Sequence, residues 1–282
     1  MKIVNSIKDL KAYLAETKQD NKKIGFVPTM GALHQGHLSL LKNSLSENDV
    51  TVMSIFVNPT QFNNSEDLDK YPRTLERDVQ IMQDLSSNII VYAPEVADIY
   101  EGNTISESFD YDGLENQMEG KHRPGHFDGV GTIVKRLFEI VQPNKAYFGE
   151  KDFQQLQIVK KLVSKYKIQV DVIGCPIHRE ANGLAMSSRN ERLSESAREK
   201  AAIIYQILNS AKEIFQTNSA EQTIKFVENE FKKYPEFELE YFEIADEATL
   251  LPVSEKEFDK KYRGFIAIFI ENIRLIDNIS LN

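Results

Sequence analysis

Residues Val50–Val57, VTVMSIFV, are β-branched or apolar almost throughout and stop abruptly at Asn58-Pro59. A strand of this kind has no polar face to leave in water, so it must be covered on both sides. Two further runs, Ile24–Val27 and Asn88–Tyr92, have the same character, and Pro28 is expected to end the first. Helical spacing fills the intervals, with Leu38, Leu41 and Leu45 along Gly36–Leu45 and a second helix over about Thr74–Leu85. A polar loop is expected between Pro59 and Pro72. Short buried strands alternating with helices predict a parallel sheet wound by crossovers.

The pattern extends in both directions. An extended start at Lys2–Val4 leads to Ser6, which has Asp9 three residues on, a capping-box variant opening a helix with Ile7, Leu10 and Leu14 on one face. Later come a helix over Gly129–Val141, a strand at Lys145–Phe148, a helix over Asp152–Tyr166 and a strand at Gln169–Ile173. Residues 1–176 therefore read as one Rossmann-like, doubly wound α/β domain.

The texture changes at Arg179–Asn190, REANGLAMSSRN, a polar stretch suited to a hinge. A helical stripe follows over Ser194–Phe215, and Ser219 with Gln222 forms a capping box for a helix through Phe231. Strands are expected at Glu238–Ile244, Gly264–Glu271 and Arg274–Ser280. Helices followed by strands make residues 177–282 a smaller α+β domain, expected to act as a lid over the site.

Composition narrows the function. A net charge of −9 argues against a nucleic-acid footprint, which needs clustered Lys and Arg. The single cysteine, Cys175, permits no internal disulfide and no cysteine zinc cluster; its apolar setting, VIGCPI, reads as a buried inert thiol. The N-terminal residues interleave acidic and basic groups, unlike a secretory signal, and no apolar run approaches a membrane span. A cytoplasmic location with no membrane partner is expected.

The chemistry should centre on Ile24–Leu41, IGFVPTMGALHQGHLSLL. A strand that opens through small residues into a helix presents unpaired N–H groups and a positive dipole end, the ingredients of a phosphate site. His34 and His37 lie three apart at that helix start. They could coordinate a metal, although His122, His126 and His178 supply no recognised ligand spacing. They could merely sit on a helix surface. The phosphate reading is favoured because Gly31 and Gly36 flank the pair and allow close backbone approach.

Pro28–His37, PTMGALHQGH, resembles the HIGH-type signature of the nucleotidyltransferase superfamily in the extended form of the pantothenate synthetase (pantoate–β-alanine ligase) family. Five more blocks follow in that family's order: Phe56–Phe62 (FVNPTQF), Tyr71–Thr74 (YPRT), Glu119–Val130, Tyr147–Gln155 (YFGEKDFQQ) and Gly183–Asn190 (GLAMSSRN). The resemblance spans the α/β domain and the hinge.

The resemblance implies a two-step reaction. Pantoate's carboxylate attacks the α-phosphorus of ATP to give pantoyl adenylate and pyrophosphate; β-alanine's amine then displaces AMP, forming pantothenate for coenzyme A synthesis. The first nucleophile is already an anion, so the step calls for positioned donors and cations rather than a base. On this resemblance His37 has the most direct catalytic part, joined by His34, Lys151 and Arg189. ATP would be met by Met30, Gly31, Ala32, Leu33, His34, Gln35, Gly36 and His37, by Gly149, Glu150, Lys151 and Asp152, and by His178, Met186, Ser187, Ser188 and Arg189. Ser187–Arg189 occupy the slot of the mobile KMSKS loop in class I aminoacyl-tRNA synthetases.

Gln61 and Gln155 are implied for pantoate, with Asn58, Arg123 and His126 around the substrates. Phe62, Pro28 and Met30 offer an apolar wall for its gem-dimethyl group. Asp152 and Asp78 are the implied Mg²⁺ contacts, and two copies are expected to form a homodimer. The sequence departs from the family at two places. Arg77-Asp78 replaces an acidic pair, and His178 stands where an apolar residue usually lies near adenine.

Other readings are a HIGH-type cytidylyl- or adenylyltransferase, which would release a nucleotidyl product without consuming an amine, and a non-catalytic nucleotide-binding regulator. An aminoacyl-tRNA synthetase is disfavoured by the acidic charge and modest length. Retention of His37, Lys151, Arg189 and both glutamines argues for catalysis.

Overall fold

The structure, a computed structural model, describes residues 1–62 and 65–282. The chain divides into two compact units. The first comprises Met1–Glu150 with Gln154–Pro176; the second comprises Lys151–Phe153 with Ile177–Asn282.

Unit one begins with β1 (Lys2–Val4), α1 (Ile7–Gln19), β2 (Ile24–Thr29), α2 (Gln35–Glu47) and β3 (Val50–Ile55). Short helices α3 (Ser65–Asp69), α4 (Leu75–Gln83), α5 (Val96–Tyr100) and α6 (Met118–His122) surround β4 (Ile89–Tyr92). The long α7 (His126–Val141), β5 (Lys145–Gly149), α8 (Phe153–Tyr166, its first residue grouped with unit two) and β6 (Asp171–Cys175) complete it. All six strands are parallel, in the order β1-β4-β3-β2-β5-β6. Full burial of Val27, Met53, Val91 and Tyr147 on these strands, and of Leu41 on α2, explains the continuous apolar runs.

Several boundaries differ from the sequence expectation. Pro28 does not end β2, which continues to Thr29. The proline is tolerated because β5 pairs with β2 only at Gly25 and Phe26, so beyond them β2 bonds to β3 alone. Strand β6 starts at Asp171 rather than Gln169 because its register is set by β5, with Lys145 opposite Asp171 and Gly149 opposite Cys175. Helix α7 begins three residues early, at His126. The expected polar loop holds a 3₁₀ turn at Pro59–Gln61 and α3; its Asn63 and Asn64 lie outside the described residues.

Unit two contains α9 (Glu195–Lys200), α10 (Ile203–Thr217), α11 (Ala220–Phe231) and an antiparallel sheet of β7 (Phe237–Asp246), β8 (Tyr262–Ile270) and β9 (Ile273–Ser280). Leu208, Ala211, Phe215, Val227 and Phe231 of the helices meet Ile244, Ile266 and Ile268 of the sheet in its core. The helix expected over 194–215 is broken at Ala201–Ala202. There Ala202 N–H bonds to Glu199 O and Ile204 N–H to Ala201 O, three residues back, which tightens the turn. Among the described residues no helix is long and apolar enough to cross a membrane.

Candidate active site

The strand order of unit one reverses at β2: β3 and β4 lie on one side, β5 and β6 on the other. In open parallel sheets the crevice outside the strand ends at such a reversal is where ligands bind. The segments leaving β2 and β5 at this point are Met30–His34 and Glu150.

The first turn is built by consecutive left-handed residues, Gly31 at φ +85° and Ala32 at φ +50°. A Cβ on Gly31 would lie 3.1 Å from both Asp78 Oδ2 and Ile55 Cγ2, so glycine suits both the dihedral and the space. The reason for the turn is Asp78. Its fully buried carboxylate accepts Ala32 N–H at 2.9 Å and Leu33 N–H at 2.8 Å, and Thr74 Oγ1 donates to it at 3.2 Å. Both carboxylate oxygens therefore face the turn and shape it.

His34 is the N-cap of α2, and its Nδ1 accepts Gly36 N–H at 3.1 Å. Reciprocally, His37 Nδ1 accepts His34 N–H at 3.4 Å, a capping box made of two imidazoles. The rings lie 4.1 Å apart with 36° between their planes. Because both Nδ1 atoms are acceptors, each neutral ring carries its proton on Nε2. The pair therefore adds two N–H donors to the positive end of a helix.

The segment after β3 supplies a third donor. Asn58, expected near the substrates, is only 1% exposed and acts as a hydrogen-bonding hub. Its Nδ2 donates to Gly129 O at 3.1 Å and to Gln61 Oε1 at 3.2 Å, while its Oδ1 accepts from Tyr100 Oη and from Thr60 Oγ1. The Gly129 carbonyl fixes which end of Asn58 is the amide nitrogen, and Asn58 in turn fixes Gln61. The Gln61 NH₂ points to Met30, with Nε2 at 3.0 Å from Sδ. Tyr100 is fully buried, and burial raises its phenol above the usual value, so it remains a donor. Gly129 permits the close packing; a Cβ there would meet Thr60 O at 2.3 Å and Gln61 Cα at 2.8 Å.

His126 and Arg123 also serve Gln61. His126, 7% exposed, places Nδ1 at 2.9 Å from Gln61 O, and Arg123 Nη2 donates to the same carbonyl at 3.4 Å. Both are expected beside the substrates, and these bonds fix the backbone carrying Gln61. Gln155 is half-buried on the first turn of α8. Its neighbour Gln154, absent from the expected set, is a buried clamp: Nε2 donates to Leu114 O and Gln117 O, and Oε1 accepts Glu119 N–H.

In unit two, Lys151 is half-buried and Asp152 exposed. Ser187 Oγ accepts Arg189 N–H at 3.2 Å and caps the turn Ser188–Arg192. The buried Asn190 donates to Glu180 Oε1 at 3.0 Å and to Ala185 O at 3.1 Å, closing this loop on itself. His178 is exposed, and its carbonyl accepts Met186 N–H. Among the described residues no three His, Cys, Asp or Glu side chains gather to hold a metal ion.

Residues 2–280 match the family model described as pantoate-beta-alanine ligase. A pantothenate synthetase of Flavobacterium psychrophilum is 67% identical over 273 residues, 97% of each chain. The crystal structure of pantothenate synthetase from Thermus thermophilus superposes with a TM-score of 0.90 at 40% identity, covering 100% of this chain and 99% of the other. The pantoate-beta-alanine ligase of Francisella tularensis, solved with beta-gamma ATP and beta-alanine, superposes with a TM-score of 0.79 at 38% identity, covering 100% and 98%. With the family model and the relatives matching nearly end to end, the chain belongs to the pantoate–β-alanine ligase family.

Proposed function

We propose that this chain condenses pantoate with β-alanine, using ATP and releasing AMP and pyrophosphate through a pantoyl-adenylate intermediate. The observation that carries the reading is the donor set at the start of α2: the Nε2–H groups of His34 and His37 with the Gln61 NH₂ beside Met30. Every one of these is a donor, and none is a base. That matches a step in which an anionic nucleophile meets an anionic phosphate and charge builds on oxygen.

In the first step His37, assisted by His34, donates to α-phosphate oxygens as the pantoate carboxylate attacks. Gln61 donates to a pantoate oxygen, and Gln155 supplies a second amide. Lys151, Ser187, Ser188 and Arg189 contact the departing pyrophosphate. Mg²⁺ bound with ATP would neutralise phosphate charge; the exposed Asp152 is the carboxylate that would hold it, while Asp78 already accepts the Ala32 and Leu33 N–H groups. In the second step the amine of β-alanine attacks the acyl carbon and AMP leaves.

The test supplies ATP, Mg²⁺ and pantoate with and without β-alanine, following pyrophosphate and AMP. Pyrophosphate release that requires pantoate, with sustained AMP formation that also requires β-alanine, is expected. A folded protein that releases no pyrophosphate on adding pantoate would refute the reading.

A further inference from the structure

Lys151 follows β5 of the parallel sheet in sequence, yet Lys151–Phe153 belong to the C-terminal unit. The contacts responsible come from β8 and β9. Asn278 Nδ2 donates to the Lys151 carbonyl at 2.9 Å, and Arg263 Nη1 donates to Asn278 Oδ1 at 2.6 Å. The guanidinium of Arg263 stacks 4.0 Å over the Phe153 ring, and Phe265 packs 5.9 Å from the same ring. Arg263 is itself held by Glu247 at 2.8 Å.

The residue before Asn278 reaches the other phosphate-binding segment. Asp277, 5% exposed, receives both terminal nitrogens of Arg179 at 2.6 and 2.9 Å, and also Asn278 N–H at 2.7 Å. Arg179 lies 3.8 Å over the Tyr205 ring and donates to Gly183 O, at the entry to the Ser187–Arg189 loop. A cavity of about 10 Å³ is lined by Lys151, Ser187, Asn190 and Asp277 together. Buried charge pairs of this kind contribute little net stability for their desolvation cost, and fixing one geometry is a use that would retain them.

We infer that Asn278 is a positioning residue for Lys151: its side-chain amide holds the lysine's backbone in the frame that carries Ser187–Arg189. The inference rests on the role given to Lys151 above. Asn278→Asp preserves shape and the oxygen that meets Arg263 but removes the donor to the Lys151 carbonyl. Asn278→Ser is carried in parallel in case the carboxylate lowers the melting temperature too far.

Pantoate-dependent pyrophosphate release is measured against ATP concentration for wild type, Lys151→Ala, Asn278→Asp and the double variant, all full-length. Asn278→Asp is expected to lower kcat/KM for ATP by about 10-fold or more, as small displacements of positioning groups do. In the Lys151→Ala background the same substitution is expected to change it by less than about 2-fold, because the two share one effect. Losses that multiply would mean a general structural role and overturn the inference, as would wild-type activity in Asn278→Asp. If Lys151→Ala matches wild type, the lysine's own role fails and the inference with it. The ligase reading would still stand on pantoate-dependent turnover by the wild type.

Discussion

His37 Nδ1 accepts the backbone N–H of His34 at 3.4 Å, so one imidazole both caps its helix and has its tautomer chosen for it. Structure and chemistry at His37 are separable on this basis. His37→Ala should cut pantoate-dependent pyrophosphate release by about 10²–10³-fold, the scale for losing one donor to a charge-bearing transition state. It should also cost about 1 kcal/mol of stability through the lost cap. His37→Asn retains a short acceptor at the third helical position and should recover the stability but not the rate. Denaturant unfolding and single-turnover kinetics on the two variants separate these effects.

Asp78 offers a test between shaping a turn and holding a metal. Asp78→Asn places an NH₂ against one of two backbone N–H donors, Ala32 or Leu33, in a fully buried site. A loss of about 2 kcal/mol in chemical denaturation is expected, typical of bonds to a buried charge. The Mg²⁺ concentration giving half-maximal rate should stay unchanged. A large rise in that concentration with unchanged stability would assign Asp78 the metal role.

Tyr100 is distant from Gln61 in sequence but acts on it through Asn58. Tyr100→Phe removes the hydroxyl shared by Asn58 and Thr60, and should cost about 1 kcal/mol. With Asn58 free to flip, Gln61 loses its fixed orientation. Steady-state kinetics should show KM for pantoate rising several-fold with KM for ATP little changed.

The parallel sheet can be read from the sequence because a doubly covered strand leaves a local trace: Val50–Val57 has hardly a polar position to expose. The capping boxes are equally local, and Ser219 with Gln222 forms as expected. What the sequence hides is set by distant partners. Asp78 beside Arg77 looks like the remnant of an acidic metal pair, and only folding shows its bonds to Ala32 and Leu33. Asn58 sits in a recognisable motif, but that motif does not say whether the amide faces a ligand or Tyr100. Lys151 looks like part of the parallel-sheet domain because its neighbours in sequence are; Asn278, near the other end of the chain, holds it in the second unit.

Buried tyrosines predict the alkaline limit of stability. Burial raises the phenols of Tyr92, Tyr100 and Tyr111 above their ordinary value of about 10, and pushes Tyr147 up to about 12. Between about pH 10 and 12 the unfolded chain sheds these protons while the native one keeps them, so stability falls as pH rises. Tyrosinate absorbance and far-ultraviolet circular dichroism followed together should show a late group of tyrosines ionising only as helix signal is lost. Full ionisation with native circular dichroism retained would contradict this.

In the proposed reaction pantoate's own carboxylate attacks the α-phosphorus, and AMP leaves from the acyl carbon. Pantoate labelled with heavy oxygen in its carboxylate, turned over with ATP and β-alanine, tests that directly by mass spectrometry of the products. One labelled oxygen should appear in AMP and none in pyrophosphate. Unlabelled AMP, or label in pyrophosphate, would contradict this route.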